Sequence, residues 1–179
     1  MVIKNYGRVM VLFYMAGFLG GILYTNLISK DYVAALGIFN DYFLNQFVQA
    51  DLAGGSYLWY LIKIRMAPLL LILLPPAVRI RKAAVAVFLI WTGFLCGMIF
   101  TSAALKLGVK GIVLCLSALL PQGLFYAAGY AVLAIGLYYY PKINWNFQKT
   151  IAVFLAICIG VALECYMSPV LVRIILKMF

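Results

Sequence analysis

The chain alternates long apolar runs with short polar interruptions, and the length of each run predicts a helix that crosses a bilayer. At ~1.5 Å per residue, about twenty residues cover the ~30 Å hydrocarbon layer. Runs of that order occupy 9–28, 83–105 and 150–169. In 57–77 the uninterrupted apolar part begins only at Met66, so a crossing helix must start near Tyr57 and carry Lys63 and Arg65 into the membrane. Tyr57, Trp59 and Tyr60 would form an interfacial belt from which the two basic side chains snorkel outward. The run 111–140 would be about 45 Å long as a straight helix, more than a bilayer needs. Pro121-Gln122-Gly123 is expected to break it, and Pro141 to stop it behind a second belt, Tyr138-Tyr139-Tyr140. Pro75-Pro76 and a tight turn at 106–110 separate the neighbouring spans, and the last span is expected to end at Pro169. The pattern predicts an all-α polytopic membrane protein: a single domain over 1–179, with about five spans and one broken long helix.

The stretch 30–53 has a different pattern. Tyr32, Leu36, Phe39, Phe43 and Phe47 recur every three or four residues on one helical face, with Asn40, Asp41, Asn45 and Gln49 elsewhere. This predicts an amphipathic helix, either lying on the outer membrane surface or packed on the spans, and Leu36, Phe39, Phe43 and Phe47 are its candidate partner face. Gly54-Gly55 ends it.

Composition fixes the solvent and removes most chemistry. Of 179 residues, 68% are apolar and 10% charged, against ~45–50% apolar in soluble domains. There is no His, and the only carboxylates are Asp31, Asp41, Asp51 and Glu164. Acid–base pairs, His-bearing triads and carboxylate metal cages therefore lack raw material. Cys96, Cys115, Cys158 and Cys165 sit in apolar runs without Cys-x-x-Cys spacing and read as small buried hydrophobes. No Gly-rich phosphate loop with a Lys is present, no cofactor is expected, and the basic residues follow membrane anchoring rather than a nucleic-acid footprint. The net charge of +10 points to anionic lipid headgroups. Lys4 and Arg8 precede a first run longer than a signal-peptide core, which predicts a retained span with a cytoplasmic N-terminus and, after five spans, an outer C-terminus.

Glu164 is the one carboxylate inside an expected span, where a charge costs ~2.5–3.5 kcal/mol on insertion scales, so a partner is expected. Lys63 and Arg65 are the candidates. They lie two residues apart, about 200° around a helix, so they do not share one site, and all three charges are expected near the outer ends of their spans. A proton relay is the competing reading, but it lacks a second acid. Gly17 with Gly21, and Gly93 with Gly97, form small-xxx-small pairs that let backbones approach closely, within the chain or in a homo-oligomer.

These residues also carry a resemblance. Gly93-Phe94-Leu95-Cys96-Gly97, then Leu107-Gly108-Val109-Lys110-Gly111-Ile112, then Leu119-Leu120-Pro121-Gln122-Gly123-Leu124, and finally Glu164-Cys165-Tyr166-Met167-Ser168-Pro169 resemble, in that order, the motifs of the stage II sporulation protein M family. The resemblance implies a non-enzymatic scaffold in the bacterial cytoplasmic membrane. Its implied partners are two secreted peptidoglycan hydrolases, an amidase and a lytic transglycosylase, acting in septal thinning and engulfment. A second reading is the membrane subunit of a transporter, with the Pro121 break as part of a solute path. An intramembrane enzyme would need Cys or Ser as nucleophile with no His base.

Overall fold

Backbone N–H and C=O groups in hydrocarbon have no water to bond, so an apolar run satisfies them internally as a helix. The computed structural model describes residues 3–27, 55–73, 78–140, 142 and 145–178. Among them are five helices: α1 Ile3–Leu27, α2 Gly55–Leu73, α3 Val78–Leu107, α4 Val109–Tyr138 and α5 Phe147–Met178. The expected outer segment 30–53, with its Leu36, Phe39, Phe43 and Phe47 face, lies outside the described residues, as do Pro75-Pro76 and Pro141.

Four helical segments, Gly7–Leu27, Ile80–Leu107, Val109–Tyr138 and Phe147–Leu176, are long and apolar enough to cross a membrane. The chain is thus a multi-pass, all-α membrane protein. In α2 the side-chain surroundings are described only over 57–66, and it is not among these four. The distribution of apolar side chains fits a lipid solvent. Leu12, Leu124 and Phe154 are each about two-thirds exposed, while Val85, Leu133 and Ala134 are buried at the centre. Hydroxyls in the spans bond back to their own helices, as Thr25 does to the Gly21 carbonyl (2.9 Å) and Thr101 to that of Gly97 (2.8 Å).

Two expectations about proline are overturned. The break at Pro121 does not occur, because α4 runs unbroken through it for 30 residues. Nor does Pro169 stop the last helix, since α5 continues through it to Met178. In water, a helix interrupted by proline can exchange its freed carbonyl for solvent. In a bilayer that exchange is absent, and local side-chain donors hold the helix together instead. The longer α5 also changes depth, and Glu164 falls near the middle of the helix rather than at its outer end.

The two glycine pairs meet each other. A Cβ on Gly17 would lie 2.0 Å from the Ile90 carbonyl oxygen, and one on Gly21 would lie 2.2 Å from that of Phe94. Reciprocally, a Cβ on Gly93 would meet the Tyr14 carbonyl at 2.2 Å, and one on Gly97 that of Phe18 at 2.3 Å. Moving four residues along α1 moves the contact four residues along α3, so the two helices run parallel. This seam brings the backbones into direct contact, and dispersion and weak polar contacts replace the hydrophobic drive that lipid cannot supply. The α3–α4 connection is a single residue. Gly108 takes φ +61 and ψ −139, a conformation that side chains strain against, and one turn later a Cβ on Gly111 would meet the Ala103 carbonyl at 2.2 Å. The Leu-Gly-x-x-Gly spacing thus serves a reversal and a close helix crossing. From there α4 and α5 run antiparallel, with Gly129 against Val153 and Ile157 and the Tyr126 ring against Gly160.

Gly21→Ala is expected to force the α1 and α3 backbones apart and to cost ~1–3 kcal/mol or more. Gly20→Ala, whose Cβ would meet only the Phe94 ring edge at 3.9 Å, is expected to be neutral or to stabilise by up to ~1 kcal/mol. Thermal unfolding in detergent separates the two; equal effects would contradict the parallel glycine seam.

Candidate functional site: an intramembrane polar cluster

The polar groups of the bundle converge where α2, α4 and α5 meet. On α5, Glu164 stands one turn beyond Gly160 and one turn before Ser168; on α4, Gln122, Tyr126 and Tyr130 follow each other at spacings of four. In antiparallel helices these two rows face each other. Gly160 leaves room for the Tyr126 ring, since a Cβ there would come 2.7 Å from the ring edge.

Arg65 of α2 closes the cluster. Its Nε donates to Glu164 Oε2 at 3.0 Å and its Nη2 to Oε1 at 2.5 Å, a two-point contact that uses both carboxylate oxygens. The Tyr126 hydroxyl donates to Oε2 at 2.6 Å, and the Arg65 guanidinium lies over the Tyr126 ring, 4.6 Å from its centroid. The Tyr130 hydroxyl donates to the Arg65 backbone carbonyl at 3.3 Å. One ion pair therefore joins three helices.

Depth decides how much this pair is worth. The Arg65 and Glu164 side chains are 33% and 14% exposed, and on a soluble surface a half-covered pair contributes ~0–1 kcal/mol. At mid-helix in a bilayer, the open side meets acyl chains. Water screening is absent there, and each charge left alone carries the ~2.5–3.5 kcal/mol insertion penalty. The pair belongs to the buried class, in which removing one partner costs far more than the pair itself contributes.

Of the two candidate cations, the structure selects Arg65. Lys63 is exposed and takes no part in the pair, as the rotation between them requires. Pro121, Gln122 and Gly123 extend the same seam. Pro121 cannot donate to the Ser117 carbonyl. At the next carbonyl, Ala118, donors gather: Gln122 Nε2, and Ser168 Oγ at 3.1 Å. Gln122 Nε2 also lies 3.4 Å from Ser168 Oγ. Gln122 is 5% exposed and its Oε1 has no partner among the described residues, whereas a Cβ on Gly123 would meet open space. Sequence reasoning missed the roles of Tyr126, Tyr130 and Ser168. Their signal was there in the four-residue spacing of polar positions on both helices. The cysteines lie apart from the cluster except Cys165, which is buried beside it; all four are free thiols, and Cys158 is exposed. No group of His, Cys, Asp or Glu among the described residues could hold a metal.

Fold and site together define a polytopic helical membrane protein with a carboxylate–guanidinium clamp inside its bundle. Compared with protein-family models, curated proteins and solved structures, the chain matches none.

Arg65→Met is expected to cost ~3–5 kcal/mol in unfolding from detergent, and Tyr126→Phe ~1.5–3 kcal/mol for a bond to a charged acceptor. Arg65→Met combined with Glu164→Gln should cost clearly less than the sum of the singles, while Lys63→Met stays within about 0.5 kcal/mol. Additive losses, or a Lys63 effect as large as that of Arg65, would refute the clamp.

Proposed function

We propose that the protein is a non-enzymatic membrane scaffold of the stage II sporulation protein M type, which recruits or localises peptidoglycan hydrolases at the outer face of the cytoplasmic membrane. The observation that carries this reading is the closed coordination of Glu164. Both oxygens of the one carboxylate among the described residues are held by Arg65 and Tyr126. A group so engaged ties helices together and is not poised to exchange protons. Through it α2, which directly follows the 30–53 segment in sequence, is fixed to the α4–α5 pair, giving that segment a rigid base. The order of the glycine, Leu-Gly-x-x-Gly, Leu-Pro-Gln and Glu-to-Pro motifs supports the same reading. The sporulation role, the cytoplasmic N-terminus and the hydrolase partners belong to the proposal. The transporter reading rested on a broken helix, and the continuity of α4 through Pro121 withdraws that support.

Affinity purification of the tagged protein from its native membranes, during growth and starvation, is expected to bring down secreted wall hydrolases on starvation. Recovery of a cytoplasmic ATPase or of a second multi-span subunit instead would overturn the scaffold. Phe39, Phe43 and Phe47 changed together to Ser should leave membrane insertion intact and abolish recruitment; normal recruitment would remove the outer segment from the mechanism.

A further inference from the structure

One end of the bundle concentrates cations on aromatic supports. α1 and α3 begin there and α4 ends there, as the contact between the Phe13 and Tyr138 rings, 6.4 Å apart, requires. Arg81 Cζ lies 5.2 Å over the centroid of Tyr140, and Lys82 Nζ 5.9 Å over that of Tyr138. Arg8 and Lys142 are exposed at the same end. Glu164, near the middle of α5, is the one carboxylate side chain among the described residues, so none of them offsets this charge. The connection that carries Asp31, Asp41 and Asp51 leaves α1 from its opposite end.

We propose that Arg81 and Lys82, backed by Tyr140 and Tyr138, form a binding site for the phosphodiester headgroup of an anionic membrane lipid. A ring beneath each cation holds a long, mobile side chain near one position, so less rotamer freedom is lost when a ligand arrives. The guanidinium presents a planar fork to phosphate oxygens, and the ammonium adds a compact second charge. Tyrosines at a helix end sit at headgroup level, which is where a lipid phosphate lies. An apolar flank continues from the cations along α3, where Ile80, Val87 and Trp91 are all exposed. That flank gives acyl chains a surface and favours a lipid over free phosphate.

The test is native mass spectrometry of the full chain released from detergent containing equal phosphatidylglycerol and phosphatidylcholine. Phosphatidylglycerol is expected to be retained preferentially, and Arg81→Gln with Lys82→Gln to lower that preference about fivefold per residue. Arg81→Lys with Lys82→Arg should keep it, and thermal melting shows whether each variant remains folded. Equal retention of the two lipids by the native chain would overturn the proposal, whatever the variants do. So would an unchanged preference in the folded double Gln variant. Loss of the preference on adding millimolar inorganic phosphate would assign the site to a free anion and overturn its assignment to lipid.

Discussion

An ionised carboxylate near the centre of a 32-residue apolar helix cannot be left alone in a bilayer, and the arrangement of three helices answers that constraint. Glu164 needs a cation at its own depth, Arg65 is that cation, and the two-point contact fixes both the height and the rotation of α2 against α5. Tyr126 completes the shell from α4, and its ring fits because Gly160 has no side chain. The sequence-level features that look separate, a buried acid, a basic pair in a short apolar run and a glycine in the last span, are parts of one packing solution.

A second, independent device holds the other half of the bundle. Lipid is as apolar as leucine, so burying leucine gains little there; close backbone packing does more. The four interlocked glycines of α1 and α3 provide it, and the Gly108 reversal with Gly111 carries the same closeness into the α3–α4 hairpin. The bundle is thus specified by an electrostatic clamp on one side and a steric seam on the other. Neither tolerates the usual conservative substitutions, because lysine lacks the fork that Arg65 uses and alanine adds the carbon that Gly21 excludes.

Much of this was legible in the residues. Span positions follow from apolar length, and the need of Glu164 for a partner follows from the cost of burying a charge. The 200° between Lys63 and Arg65 already implied that only one of them could pair. The glycine pairs signalled close approach, although their facing each other depends on the parallel course of α1 and α3, which spacing alone does not contain. The proline readings failed for a definite reason. Rules for helix termination come from chains whose freed carbonyls can turn to water, and at Pro121 the alternative donors are Gln122 and Ser168 on the helices themselves. The depth of Glu164 was misjudged through the same rule, because ending α5 at Pro169 shortened it. Tyr126 was unread because a tyrosine in an apolar run is ordinarily an interfacial anchor, and only the opposing glycine and acid give it an inward role.

The account rests on Glu164 being ionised within the bundle and held so by Arg65. Infrared difference spectroscopy in lipid vesicles, comparing the native chain with Glu164→Gln, reads that state from the carboxylate band. The predicted result is an ionised carboxylate at neutral pH, converted to the protonated carbonyl form in Arg65→Met. A protonated Glu164 in the native chain, or an ionised one that survives the loss of Arg65, would contradict it.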